Sequence, residues 1–560
     1  MNKLNWLPML AVAVCATLVG AREPAVRLPD IGSSAAGIMS PTDQKDYGAS
    51  MLHQMRAYNM VLDDPLINDY MHALGYRLVS FSDRPDLSFT FFVVRDNDIN
   101  AFAAPGGYIG TNVGLITAMA TEDELAAVIG HEIAHVTQQH LLRAFEDSKK
   151  NALPIALAMI GAVVASRNRT DDATEAAVIG GMSLIQQRAI NFTRYDEIEA
   201  DRVGIQTLAK AGFDPLAMAE TFATMQRMMR INGVDVPEFL RTHPVDTNRI
   251  ADAKARAEQL TASQRRKEEV STRASDSTPS SMGGLRLSLP TEQTAHSVAA
   301  AAPAVRDGHF ELMRERARVL NAESNNTMLR YYTDNLRDDP KFDTPANHYG
   351  HALALIRSRQ PQAAATVMKK LVAAHPTTTT FQLGLAEAED QAGNKAEALQ
   401  RYERLSTNYP GNRAVSLAFA DALLASAEKK SAQRAQELLR PLLTRYAEDP
   451  DLQRSFARAC ELSGDTVRAS EAYAETTFLN GRAEDALNQL KTLAERTDLT
   501  YYQRARVDAR ITDMTPVVLE LRKRGMQESN RFEATTLAPS ICVGSDCSTL
   551  SSQRNNSRLQ

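Results

Sequence analysis

The stretch His131-Glu132-Ile133-Ala134-His135 decides how this chain is read. On a helix, positions i and i+4 lie on one face, so both imidazoles reach a single metal ion. Glu132 follows the first histidine directly, where its carboxylate can meet a metal-held water. Zinc bound by three protein groups keeps one position open and lowers the pKa of water there to about 7. A carboxylate beside it accepts the proton as the water attacks a peptide carbonyl. That is the chemistry of a zinc peptidase.

The surrounding sequence supplies the helix. Thr121 and Glu124 form a Thr-x-x-Glu capping box. Leu125, Val128, Ile129, Ile133 and Val136 recur at helical spacing, and the pattern predicts a helix to about Asp147. A metzincin would place Gly at 138 and His at 141; this chain has Gln138 and Leu141, with His140 out of phase. The third ligand is therefore expected to be a carboxylate. Glu197-Ile198-Glu199-Ala200-Asp201 supplies it, on a helix that Thr193 caps and that runs through Leu208. Glu197 and Asp201 share a face there, and Glu199 points elsewhere. Glu197 is the expected ligand. Asp201 either orients a ligand histidine or carries a proton to the leaving amine.

With these two motifs the chain resembles the M48 family of zinc metallopeptidases, which pair His-Glu-x-x-His with a downstream Glu-x-x-x-Asp. The resemblance covers residues 40–260 and includes Asn100–Gly107 and Arg241-Thr242-His243-Pro244. It implies an α+β zincin-like domain with one zinc ion at His131, His135 and Glu197. It also makes Glu132 the general base and Asp201 the proton donor or orienting acid.

Lys3 and the apolar run Leu7–Val19, followed by Gly20-Ala21, read as a cleaved secretory signal over residues 1–21. Cys15 raises a lipoprotein signal as the alternative, but Val14 fits it poorly. A net charge of -5 over 560 residues gives no reason to expect nucleic acid. After the signal there is no apolar run long enough for a membrane span. Cys460, Cys542 and Cys547 remain in the mature chain, too few for a disulfide scaffold, although Cys542 and Cys547 can pair in an oxidising compartment.

Residues 50–80 read as helical, Ser88–Arg95 as a strand, and Asn100–Ala104 with Tyr108–Thr111 as a further strand pair around Pro105-Gly106-Gly107. A strand at the lip of a zinc cleft can pair with extended substrate through its backbone; the alternative is a plain hairpin. Leu153–Ala165 and Ala176–Ile185 read as a buried helical hairpin, or else as a lid or membrane-facing flap. Residues 261–306 are rich in Ser, Thr, Ala, Pro and charge, and read as a flexible linker. Residues 527–560 read as a disordered tail.

A shift of 34 residues aligns Gly350 with Gly384, Ala352 with Ala386, Ala364 with Ala398, Leu371 with Leu405 and Pro376 with Pro410. That period resembles tetratricopeptide repeats, here over residues 308–525. The expected fold is mainly α with a small β-sheet: the peptidase domain, then an α-solenoid.

A signal, a peptidase of this family and a repeat array together resemble bacterial envelope quality-control enzymes. That resemblance implies a periplasmic endopeptidase acting on misfolded or stalled outer-membrane proteins, with a possible chaperone role in assembling them. It also implies docking on the outer-membrane β-barrel assembly machinery through the repeats, and allows peripheral membrane contact. The alternative is a repeat-based chaperone or adaptor with a secondary zinc site. His243 precedes Pro244 and is expected on a loop between helices. There it is a switchable fourth zinc ligand, an oxyanion donor, or a structural histidine.

Overall fold

The computed structural model describes residues 39–144, 146, 194–232, 238–276 and 309–523. The expected signal, the two apolar stretches between the zinc motifs, Thr193, the tail and its two cysteines all lie outside these residues. The chain divides into two compact units, residues 1–44 with 139–192, and residues 45–138 with 193–560. Of the first unit, the described residues are the start of the first helix and a short helical segment at 140–144. The second unit holds the sheet, the motif helices and the repeats.

The expected helix over 50–80 is two helices, α1 (Pro41–Ala57) and α2 (Pro65–Ser80). Asn59 takes a left-handed φ of 54° and breaks the first. Val61 then pairs with Val94, and Asp64-Pro65 starts α2, the Asp64 side chain accepting from Ile67 N–H. Proline in the first turn loses no hydrogen bond that the helix would otherwise make.

The strand readings hold. β1 (Thr90–Val94), β2 (Ala101–Ala104) and β3 (Tyr108–Asn112) form one sheet in the order β1-β3-β2. β2 and β3 are antiparallel, with Ala103 opposite Ile109, and β1 runs parallel to β3. β2 is thus an edge strand. Asn100 bonds Asn112 across the ladder, so alternation turns Ala103 outward, away from β3.

After α3 (Val113–Ala118), α4 (Glu122–Thr137) carries the first motif. Thr121 and Glu124 make both bonds of the capping box, in a class of cap worth about 1 kcal/mol. The helix ends ten residues short of Asp147: Gln138 caps it and Gln139 takes a left-handed φ of 58°. Glutamine is an ordinary helix former, so no local signal marks that stop. α5 (Arg194–Lys210) carries the second motif, followed by α6 (Ala217–Asn232), α7 (Glu238–Thr242) and α8 (Thr247–Asp276). α8 continues to Asp276, past residue 261 where the flexible linker is expected to begin. Ala262, Gln264, Arg265, Arg266, Lys267, Glu268 and Glu269 are polar or small, but most are also strong helix formers.

Residues 309–523 are helices in antiparallel pairs, α9 (His309–Leu320) through α20 (Tyr501–Lys523). Small residues line the packed faces: Ala352, Ala364, Ala386 and Ala398 are each fully buried. Repeats and peptidase are not separate cores. One buried cluster runs from Leu62, Phe91, Ile129 and Phe222 into Phe310, Met313, Tyr349 and Met368. Further along the array, ahead of its last two helices, a Cβ on Gly481 would meet the His53 carbonyl of α1 at 2.3 Å. The His53 ring meets Phe478 edge-on at 5.0 Å.

Candidate metal centre

α4 and α5 cross closely beside both motifs. A Cβ at Gly204 would meet the Gly130 backbone at 3.3 Å, so the absence of a side chain lets the two helices approach. One residue beyond Gly130 stands His131, and one turn before Gly204 stands Asp201. The crossing therefore sets histidines against carboxylates.

His131, His135, Glu197 and His243 are all buried, and one ligand atom from each lies within 4.8 Å of the others. The two motif imidazoles face each other Nε2 to Nε2 at 3.0 Å. Glu197 Oε2 lies 3.4 Å from His131 Nε2, and Glu197 Oε1 lies 3.5 Å from His135 Nε2. His243 Nδ1 lies 2.9 Å from Glu197 Oε1. Asp201 stands behind this group, its Oδ1 3.0 Å from His131 Nδ1. A carboxylate at that distance favours a proton on Nδ1 and leaves Nε2 to face the cluster, although the contact falls short of hydrogen-bond geometry.

Glu132 is buried on the same helix. Its carboxylate accepts from the Ala103 N–H on the outward edge of β2. Its Oε1 has no hydrogen-bond partner, and His243 Nε2 lies 3.8 Å away. Burial raises the Glu132 carboxyl above its ordinary range, against the pull of His243 and His131. Burial also opposes the charge on Glu197, but His243 and His131 prevail and hold it well below that range. His131 follows the same pattern as Glu197. Burial disfavours its cation, yet Asp201 and Glu197 carry its pKa up to about 10.

These residues fit zinc. The donor set is two imidazoles and a carboxylate, a combination typical of zinc hydrolases, and the donors converge on one point. The Glu197 and Asp201 carboxylates set against the imidazoles bring negative charge that a cation would balance. The structure thus brings together every residue singled out in the sequence: His131, His135, Glu197, Glu132, Asp201 and His243. Glu199, partly buried, is absent from the converging group. His243 lies just past α7, its N–H on the Phe239 carbonyl at 2.7 Å.

Sequence reasoning missed Arg249. It lies in the first turn of α8, is buried, and contacts both α5 carboxylates. Its signal was available: Arg249, Ala253 and Ala257 recur at four-residue spacing on an otherwise charged helix, and all three are buried.

Residues 65–257 match the model of peptidase family M48, and residues 355–418 match that of a tetratricopeptide repeat. The beta-barrel assembly-enhancing protease of Escherichia coli (strain K12) is 28% identical over 514 residues, 90% of this chain and 96% of that protein. The putative beta-barrel assembly-enhancing protease of Vibrio cholerae is 38% identical over 253 residues, 45% of this chain and 52% of that protein. The mitochondrial metalloendopeptidase OMA1 of Arabidopsis thaliana is 29% identical over 186 residues, 33% of this chain and 35% of that protein.

Proposed function

Because this chain carries a peptidase family M48 domain with tetratricopeptide repeats and is a zinc metalloendopeptidase, we propose that it cleaves misfolded or stalled outer-membrane proteins in the periplasm. The observation that carries the reading is the placement of Glu132. It is buried beside the converging donors and bonded to the edge strand β2. The relatives named for β-barrel assembly direct the choice of substrate.

His131, His135 and Glu197 would hold the zinc. When bound, zinc acts as a Lewis acid and lowers the pKa of water to about 7. Glu132 takes the proton of the attacking water on its unpartnered Oε1 and passes it towards the leaving amine. Asp201 holds His131 in its metal-facing tautomer, the orienting role of the two expected for it. An extended substrate adds along the outer edge of β2 through backbone hydrogen bonds, the Ala103 N–H being held by Glu132. His243 is read as a switchable ligand: it already stands with the donors, and occupying the fourth position would shut out the attacking water. The repeats dock the enzyme on the β-barrel assembly machinery, and residues 40–276 form the catalytic region.

The test uses one outer-membrane protein in two states. The mature enzyme should cut it when urea-unfolded and freshly diluted, and leave it intact when folded in detergent micelles. Chelation should stop cleavage, and zinc should restore it. Equal cleavage of both states would remove the quality-control reading.

A further inference from the structure

The mechanism above leaves one buried cation without a role. The Arg249 guanidinium lies among the groups of the metal centre, with its side chain 2% exposed. Its Nε and Nη2 donate to the two oxygens of Asp201, both at 2.8 Å. Its Nη1 donates to the Pro244 carbonyl at 2.8 Å and stands 2.9 Å from Glu197 Oε2. The Phe222 ring lies 5.0 Å from the guanidinium carbon.

We propose that Arg249 is the positioning residue of the metal centre: its planar fork fixes both α5 carboxylates and the loop that carries His243. It contacts no substrate and acts through other residues. Three separate pieces of chain meet on it: α5 through Glu197 and Asp201, the loop through Pro244, and α8 through its own backbone. With Asp201 clamped at both oxygens, Oδ1 has a fixed direction from which to receive His131. Pro244 directly follows His243, so holding its carbonyl sets where that imidazole hangs. A lysine would bring one ammonium where the fork brings three directed nitrogens.

The charges support this. Glu132, Glu197 and Asp201 bring three carboxyl groups into one buried site, three negative charges when all are ionised. Arg249 and a divalent zinc balance them, and buried charge persists only when it is paired. The inference rests on His131, His135 and Glu197 being the zinc ligands.

The effect of removing Arg249 on zinc affinity has a decisive sign. A nearby cation acting by charge alone repels zinc, so its removal would tighten binding. A positioning residue does the reverse. Mature full-length Arg249→Met and Arg249→Lys would be titrated with zinc against a chromophoric chelator, their folding checked by circular dichroism. Zinc affinity should fall roughly 10–100-fold in Arg249→Met, the usual cost of losing an orienting partner, and partly recover in Arg249→Lys. The visible spectrum of cobalt-loaded Arg249→Met should also shift, because the spectrum reports ligand placement whatever the activity. Unchanged or tighter zinc binding with an unchanged cobalt spectrum would overturn the proposal, even if thermal stability fell. If neither variant folds, Asp201→Asn breaks the same fork with Arg249 in place, and wild-type zinc affinity there would overturn it equally. Wild-type protein that binds no zinc would sink the ligand assignment itself, a distinguishable result.

Discussion

Arg316 of α9 clamps the residue that caps α2. Its Nε and Nη2 meet the two oxygens of Asp64 at 2.8 and 2.7 Å, and its Nη1 donates to Tyr349. Burial raises the Asp64 carboxyl, but the charge and hydrogen bonds of Arg316 outweigh it, and the net shift is downward.

A group whose pKa is lower folded than unfolded stabilises above its unfolded value, near 3.9, and loses that contribution as pH falls through the native value. Asp64→Asn keeps the helix cap but strands Arg316, which should cost about 3–5 kcal/mol at pH 7. The deficit should shrink as pH falls below about 4, where the unfolded wild-type chain begins to take up a proton that the native carboxyl still refuses. Urea melts at pH 7 and pH 3 measure it. An equal deficit at both would contradict the charge argument.

Glu132→Gln should keep zinc and fold yet lose peptidase activity by at least about 10²-fold, the lower end of what a general base supplies. Elemental analysis and cleavage of an unfolded outer-membrane protein report the two halves. Metal lost from this variant would make Glu132 a ligand or a structural group.

Glu197→Gln should lose both zinc affinity and activity, since an amide is a poor zinc ligand. Glu199→Gln should stay near wild type in both. The opposite pattern would mean that the other carboxylate of the motif binds the metal.

His243→Ala should cleave unfolded substrate faster or less selectively if the imidazole closes the fourth position. A fall in kcat of about 10²-fold with zinc retained would instead mark an oxyanion donor. Unchanged kinetics would leave it a structural residue.

Residues 309–523 expressed alone should be helical but loosely packed, binding a dye for exposed apolar surface, because Phe310, Met313 and Tyr349 share a core with the peptidase. Co-expression with residues 40–276 should restore compactness. A cooperative, dye-silent fragment would show that the shared cluster is dispensable.

The residues of the two motifs are legible in the sequence because their geometry is local. An i, i+4 pair states a shared helix face in the sequence itself, and a capping box marks where that helix begins. The spacing of Arg249, Ala253 and Ala257 marks a buried face, but not the partner of Arg249, because Asp201 lies 48 residues upstream and only tertiary packing joins them. The stop at Gln138–Gln139 was hidden because it depends on a backbone angle that glutamine does not advertise. The part of α8 beyond residue 260 is not legible in the sequence, because polarity alone does not separate a solvated helix from a linker. The repeat period was legible, but not the apolar surface that α9 and its neighbours lend to the peptidase core.

The contact between Gly481 and His53 gives the array a fixed length. Most solenoids can gain or lose a unit, because each repeat touches only its neighbours and the free end simply moves. Here the array is anchored at two places on the same domain: Phe310 lies in its core, and the turn at Gly481, ahead of the last two helices, rests on α1. Duplicating one unit would carry Gly481 off its seat, and deleting one would leave the array short. Whole-repeat insertions and deletions should therefore be selected against in this lineage, while point changes on the outer faces accumulate freely.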